Sequence, residues 1–494
     1  MIEALRGLGY STATALADII DNSISAQAGS VSLHFAWAGD ASYVTILDDG
    51  AGMDEEALDA AMRLGERSPL DQRNTDDLGR FGLGLKTASF SQCRRLTLAS
   101  MRNGRVNCLR WDLDILASSA DHGWHLLEGV APESEHLLEP LLAAGRGTLV
   151  LWERLDRVIS TGFSEQNFLD LVDNVERHLA MVFHRYLDNN TMKPSLNLYI
   201  NGKPVDSWDP FLLSHPATWT SPVARIPSVA GTIEVQCHVL PHRDYLNSQQ
   251  ELVAAGPHGW TAQQGFYVYR NRRMLLAGSW LGLGQGRSWT KEEAHRLARI
   301  RLDIPNSADA TWKIDIRKST ASPPVGICQE LTRLAEDTRA RARKVFAHRG
   351  QPVSRNPGRA VVQAWRAEHR TNGIRYRIDC QHPVVRAVLD DAGVFSPQIQ
   401  AMLRVIEETV PIQRIWLDTA EAKETPRIGF SEEALPEVRS LILLMYRSFV
   451  LRKGMSPQAA RERLLYTEPF NNYPDLVAAL PDDPHAGDDD GIRN

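Results

Sequence analysis

No run of apolar residues in this chain approaches the roughly 20 that a bilayer-crossing helix requires, so no transmembrane segment is expected. Cysteine is sparse. The five thiols, Cys93, Cys108, Cys237, Cys328 and Cys380, are scattered without a C-x-x-C pair, which predicts neither a zinc site nor a disulfide framework and reads them as buried. A basic excess is also missing: 55 Lys and Arg stand against 61 Asp and Glu, for a net charge of -6. That argues against a protein coating nucleic acid indiscriminately and leaves room for a local basic surface. The N-terminal stretch has an Ala/Ile/Leu face but no basic region followed by a long apolar run and a cleavage site. No secretory signal is therefore expected, and the cytoplasm is the default location.

What is present is an ordinary globular composition, 43% hydrophobic and 23% charged over 494 residues, long enough for roughly three domains. The pattern predicts a helix over 2–28, strands over 31–36 and 43–47, a helix over 54–64, and a polar stretch over 65–78 before a glycine-rich segment. Strands over 95–101, 105–112 and 147–152 complete an α+β sandwich with a largely antiparallel sheet, closing near residue 155. Apolar spacing then predicts a long helix over 164–187 that bridges two domains. A second domain over 156–348 holds strands at 196–202, 232–240, 265–275 and 300–305 and a helix from 325 to 348. Residues 349–359 read as a linker, 360–475 as a mainly helical domain, and 476–494 as an acidic tail, with five aspartates in its last fourteen residues.

Three motifs in the first ninety residues carry chemistry. In Asp18-Ile-Ile-Asp-Asn22 the outer residues are four apart and share one helix face, so a general-base carboxylate and a magnesium-binding amide point the same way. In Asp48-Asp-Gly-Ala-Gly52 a carboxylate ending a strand is placed to accept from an exocyclic amine such as that of adenine, while Gly50 and Gly52 let the base approach backbone; alone, the string is also a plain acidic turn. In Gly79-Arg-Phe-Gly-Leu-Gly-Leu-Lys86 the glycines turn successive N–H groups toward a phosphate at a helix start, and Lys86 adds a point charge. The string is not a Walker loop, because G-x-x-x-x-G-K-[ST] is absent.

In this order the motifs resemble the GHKL ATPase superfamily, which includes DNA gyrase, heat-shock chaperones, histidine kinases, MutL and MORC proteins. Gly147-Thr148 looks like the superfamily's fourth motif. The resemblance implies a Bergerat-type α/β sandwich that binds ATP and magnesium. It implies that Asp48 reads the adenine amine with Gly50, Gly52, Met53 and Thr148 around it, and that Asn22 holds the metal. Gly79, Arg80, Phe81, Gly82, Leu83, Gly84, Leu85, Lys86 and Thr87 would wrap the phosphates as part of a lid. Asp18 takes the general-base position, where the superfamily commonly has Glu, so turnover is expected to be slow.

ALADIIDNSISA, AMRLGERSP and GRFGLGLKTASF look nearest to the MutL and MORC branch. LYINGKPVDSWDPF and WKIDIRKS resemble the transducer domain of that branch, a ribosomal-S5-like fold that delivers a basic residue to the γ-phosphate. Lys318 is the first candidate, with Lys313 and Arg317 as alternatives. The expectation is an ATP-operated clamp or switch, an ATP-dependent homodimer acting on DNA with a separate effector or nuclease protein. Arg270, Arg272, Arg273, Arg296, Arg299 and Arg301 are candidates for a DNA-facing groove. The alternatives are a chaperone-like ATPase with protein clients and a defence-system subunit. His369, His382 and His485 are too dispersed to read as metal ligands.

Overall fold

The computed structural model describes residues 6–7, 9–63, 84–118, 125–188, 195–308, 311–314, 321–347, 362–370, 373–415 and 435–484. They divide into two compact units, 1–350 and 351–494.

The first unit begins with helix α1 (Thr12–Ser25), started by a capping box in which Ser11 and Thr14 exchange side-chain and backbone hydrogen bonds. Two antiparallel strands follow, β1 (Ser30–Ala36) and β2 (Tyr43–Asp48). After helices α2 (Glu55–Met62) and α3 (Gly84–Phe90) come β3 (Arg95–Arg102), β4 (Arg105–Asp112), β5 (Leu127–Glu128) and β6 (Gly147–Glu153). With β7 (Asn197–Ile200) and β8 (Lys203–Pro204) they form one sheet in the order β5-β4-β3-β6-β2-β1-β7-β8. All pairings are antiparallel except that of β1 with β7.

Side chains alternate across this sheet. Val44 and Ile46 of β2, Leu96 and Leu98 of β3, and Val150 and Trp152 of β6 join the main core with Leu16, Ile19 and Ile20 of α1. The opposite face of β3 and β6 makes a smaller cluster of Ala99, Leu149 and Leu151 with Leu141. Helix α4 (Glu165–Val182), expected to bridge two domains, buries Phe168, Val175 and Leu179 in the main core, a core that also takes in Tyr267, Tyr269 and Met274. The strand expected over 196–202 is β7, which pairs with β1.

A second sheet runs β10 (Ala224–Ser228), β11 (Gly231–Val239), β14 (Ala298–Ile304), β12 (Gly265–Arg270) and β13 (Arg273–Ser279), with a short β9 (Trp219–Thr220) beside β11. The single strand expected over 265–275 is a hairpin. Its turn residues Asn271 and Arg272 have φ of 45° and 67°, a conformation in which the arginine has none of the glycine signal that usually marks such turns. Phe266 and Val268 of β12 face a second core with Ile300, Leu302 and Trp312, while Tyr267 and Tyr269 face the first. Helix α5 (Val325–Ala347) contributes Ile327, Leu331, Ala335 and Ala342 to the second core.

Among its described residues the second unit, expected to be mainly helical, also holds a hairpin, β15 (Trp365–Arg370) and β16 (Gly373–Ile378). The helices Pro383–Asp391, Leu435–Arg447 and Pro457–Leu465 supply Ala387, Ile442, Tyr446 and Leu464 to its core. Among the described residues no helix is long and apolar enough to cross a membrane. Cys93 and Cys237 are buried, but Cys108 and Cys328 are partly exposed and Cys380 is exposed, contrary to the uniform burial expected. The linker at 349–359 lies outside the described residues.

Candidate functional site

The site lies where the apolar rows of the first sheet turn polar. Asp48 continues the row of Val44 and Ile46 toward α1; Thr148 begins the row of Val150 and Trp152, and Ser100 ends that of Leu96 and Leu98. Register aligns them: Asp48 faces Thr148, Thr148 faces Ser100, and Ser100 faces Asn107. Four adjacent strands thus present one polar row on the helix side of the sheet.

Its hydrogen bonds hold the Asp48 carboxylate firmly. Oδ1 accepts from the backbone N–H of Gly50 at 3.0 Å and of Thr148 at 3.2 Å, and Oδ2 accepts from the Ser23 hydroxyl at 2.8 Å. The Thr148 and Ser100 hydroxyls lie 2.9 Å apart, and Ser100 Oγ accepts from the Met53 N–H at 2.8 Å. Burial raises the Asp48 carboxyl above the ordinary carboxylate range, the three hydrogen bonds oppose the rise, and the charge of Asp49 adds to it.

Two glycines permit this geometry. Gly147 has φ of 105°, and a Cβ there would fall 1.9 Å from the Asp48 carbonyl oxygen. Gly52 has φ of 66°, and its Cβ would fall 2.2 Å from the Met101 carbonyl oxygen. Both positions therefore require glycine for conformation and for close backbone approach.

On α1, Asp18 is buried and accepts from the Tyr10 hydroxyl at 3.0 Å, while Asn22, one turn on, is exposed. Between them Asp21 is buried and accepts from Arg273 Nε at 2.9 Å. The α1 face therefore offers a carboxylate and an amide, oxygen donors of the type magnesium takes, while its neighbour ties the helix to β13. Tyr10, Ser23 and Ser100 are contributors that motif reading missed. Ser23 directly follows Asn22, but only its hydrogen bond to Asp48 shows that it reaches the site, as the strand register does for Ser100.

Gly79, Arg80, Phe81, Gly82, Leu83, Arg317 and Lys318 lie outside the described residues. Gly84 opens α3, and Leu85 packs partly buried against the main core. The Thr87 hydroxyl donates to the Gly84 carbonyl at 3.4 Å. Lys86 differs from expectation. It is buried, and its ammonium donates to the carbonyls of Ala61, at 3.0 Å, and Arg63, at the end of α2, where a cation satisfies orphan carbonyls and suits the helix dipole. Lys313 is exposed, with φ of 49°.

The six arginines expected to line a DNA groove do not form one. Arg270, Arg273 and Arg299 are buried, Arg299 completely. Arg301 pairs with Asp303 at 3.1 Å, Arg296 with Glu293, and the Arg272 guanidinium sits 4.4 Å from the centre of the Tyr186 ring. They serve packing and pairing within the first unit. His382 is buried.

The site is thus a helix-backed sheet with a buried carboxylate at a strand end and a carboxylate–amide pair on the covering helix. Residues 10–148 match the family model for histidine kinase-, DNA gyrase B- and HSP90-like ATPases, so this segment is a GHKL-type ATPase domain. No curated protein matches the chain.

Proposed function

We propose that the chain is a magnesium-dependent ATP-hydrolysing switch or clamp of the MutL and MORC kind, acting on DNA with separate partner proteins. The observation that carries the ATP-binding reading is the Asp48 carboxylate, fixed by Ser23, Gly50 and Thr148 at the α1–sheet junction, where an amine of the adenine type finds a buried acceptor. In this reading Asp18 takes a proton from the attacking water at its carboxylate, oriented by Tyr10. Asn22 holds the metal through its amide oxygen, and Lys318 approaches the terminal phosphate. Bound magnesium would gather phosphate oxygens and offset their charge. The domain matched by the family model then acts as a nucleotide-gated element, and its closure and reopening would be passed to DNA by two associated copies of the chain. A chaperone-like action on protein clients is the competing reading.

The test is steady-state ATP hydrolysis with magnesium, with and without double- and single-stranded DNA, beside Asp18→Ala. Loss of a general base is expected to cost roughly 10²–10⁴-fold in turnover while ATP binding persists. Stimulation by DNA that vanishes in the variant supports the clamp. Hydrolysis indifferent to DNA moves the reading to a protein client, and unchanged turnover removes Asp18 from the base role.

A further inference from the structure

The second core carries a cleft of about 550 Å³ whose walls include Trp289, His295, Glu336, Arg339, Arg343 and Lys344. None of these residues belongs to the nucleotide site described above. The last four lie on the C-terminal half of α5, where Arg339 and Arg343 are one turn apart and share a face. Arg339, Arg343 and Lys344 stand against Glu336 in the wall and Glu292 beside Arg339 and His295, so the balance is positive by one charge.

Arg339 is the unusual member. It is only 8% exposed, and its guanidinium carbon lies 4.7 Å from the ring centres of both Trp280 and Trp289. The indoles meet nearly perpendicular, at 5.7 Å and 79°, so the side chain is clamped from two sides. Its Nη1 is nevertheless buried without a hydrogen-bond partner. Buried polar groups are almost always partnered, and an arginine cannot discharge itself to escape the cost. Packing thus fixes a permanent positive charge in the wall of the cleft, and the chain itself leaves one of its donors unpaired.

We infer that this cleft binds a phosphate-bearing ligand of nucleotide size through Arg339, Arg343 and Lys344. A phosphate is favoured over a carboxylate because three cations line the cleft, more than one carboxylate can engage, whereas a phosphate offers more charge and more acceptor oxygens in the geometry a guanidinium matches. The volume is in the usual range for small-ligand sites, about 300–1,000 Å³. The same chemistry is offered by a free mononucleotide and by a phosphodiester within a strand. The site stands apart from the ATP reading and does not depend on hydrolysis.

The test uses the full chain at low salt, titrated with dTMP by tryptophan fluorescence and with fluorescein-labelled dT20 by anisotropy. Arg339→Gln is expected to weaken binding roughly tenfold or more, and exposed Arg343→Gln roughly threefold or more. Arg333→Gln, on an exposed arginine paired with Glu330, should leave it unchanged. Saturable binding of dTMP assigns a free-nucleotide site; binding of dT20 without dTMP assigns a strand. The inference is overturned if neither probe binds, or if an oligoglutamate peptide displaces dT20 as well as unlabelled dT20 does. It is also overturned if the cleft variants bind like the parent chain. Should Arg339→Gln lose its circular dichroism spectrum, Arg343→Gln decides.

Discussion

Asp21 and Arg273, 252 residues apart in sequence, form an ion pair with 2.9 Å between Oδ1 and Nε, and their side chains are only 1% and 5% exposed. Asp21 stands between Asp18 and Asn22 on α1. Arg273 opens β13 directly after the Asn271–Arg272 turn, and its guanidinium lies 4.6 Å from the centre of the Phe183 ring. The helix carrying the candidate base and metal-binding amide is thereby fastened to the second sheet.

Removing one member of such a pair leaves a buried charge without its counterion. Arg273→Met is expected to lower folding stability by about 3–5 kcal/mol, measured by urea unfolding. Asp21→Asn combined with Arg273→Met should recover a substantial part of that loss. A double variant as unstable as the sum of its single variants would show that the two side chains are not energetically coupled.

Asp48 makes a prediction in which stability and binding respond oppositely to pH. Burial raises its carboxyl in the folded chain, so the folded state holds the proton more tightly than the unfolded state. This group therefore favours folding fully below its unfolded pKa, and that contribution is lost as pH rises through the folded pKa. Adenine recognition runs the other way, because the ionised carboxylate is the stronger acceptor for the amine and a protonated one has an O–H to place as well. ATP affinity should weaken as pH falls through the raised pKa, and Asp48→Asn should flatten that acid limb and weaken ATP more than GTP. Calorimetric titration of both nucleotides across the acid range checks this; equal losses would count against base readout.

Lys86 separates a structural role from a phosphate-binding one. With its ammonium on the Ala61 and Arg63 carbonyls, Lys86→Met should cost about 1–3 kcal/mol of stability through carbonyls left unpaired. Its magnesium–ATP affinity should stay within roughly twofold of the parent chain, a difference well under 1 kcal/mol. A large affinity loss at unchanged stability would return this lysine to the phosphates.

The local pieces of the nucleotide domain were legible in the sequence. The β-branched and aromatic residues of 31–36 and 43–47 marked strands, and the Asp18–Asn22 spacing marked one helix face. Long-range pairing was not legible. Nothing in Leu198 or Ile200 announces that their strand runs parallel to β1, and the row of Asp48, Thr148 and Ser100 exists only once three distant segments are in register. The hairpin at 271–272 escaped because an arginine occupies a left-handed turn position. Basic residues read as a surface groove turned out to be packed on aromatic rings and paired with carboxylates, since charge in a sequence carries no label of inside or outside.

In the proposed ATP-binding reading, the position of Gly147 against the Asp48 carbonyl ties nucleotide choice to the register of the sheet. A slip of β6 by one residue would turn Thr148 to the opposite face and take its N–H away from Asp48, so the pocket cannot assemble piecemeal. Ligand affinity then reports on the integrity of strands far from the bound molecule. A nucleotide that binds only the completed sheet would act as a thermal stabiliser of the whole domain, raising its melting temperature with the logarithm of its concentration.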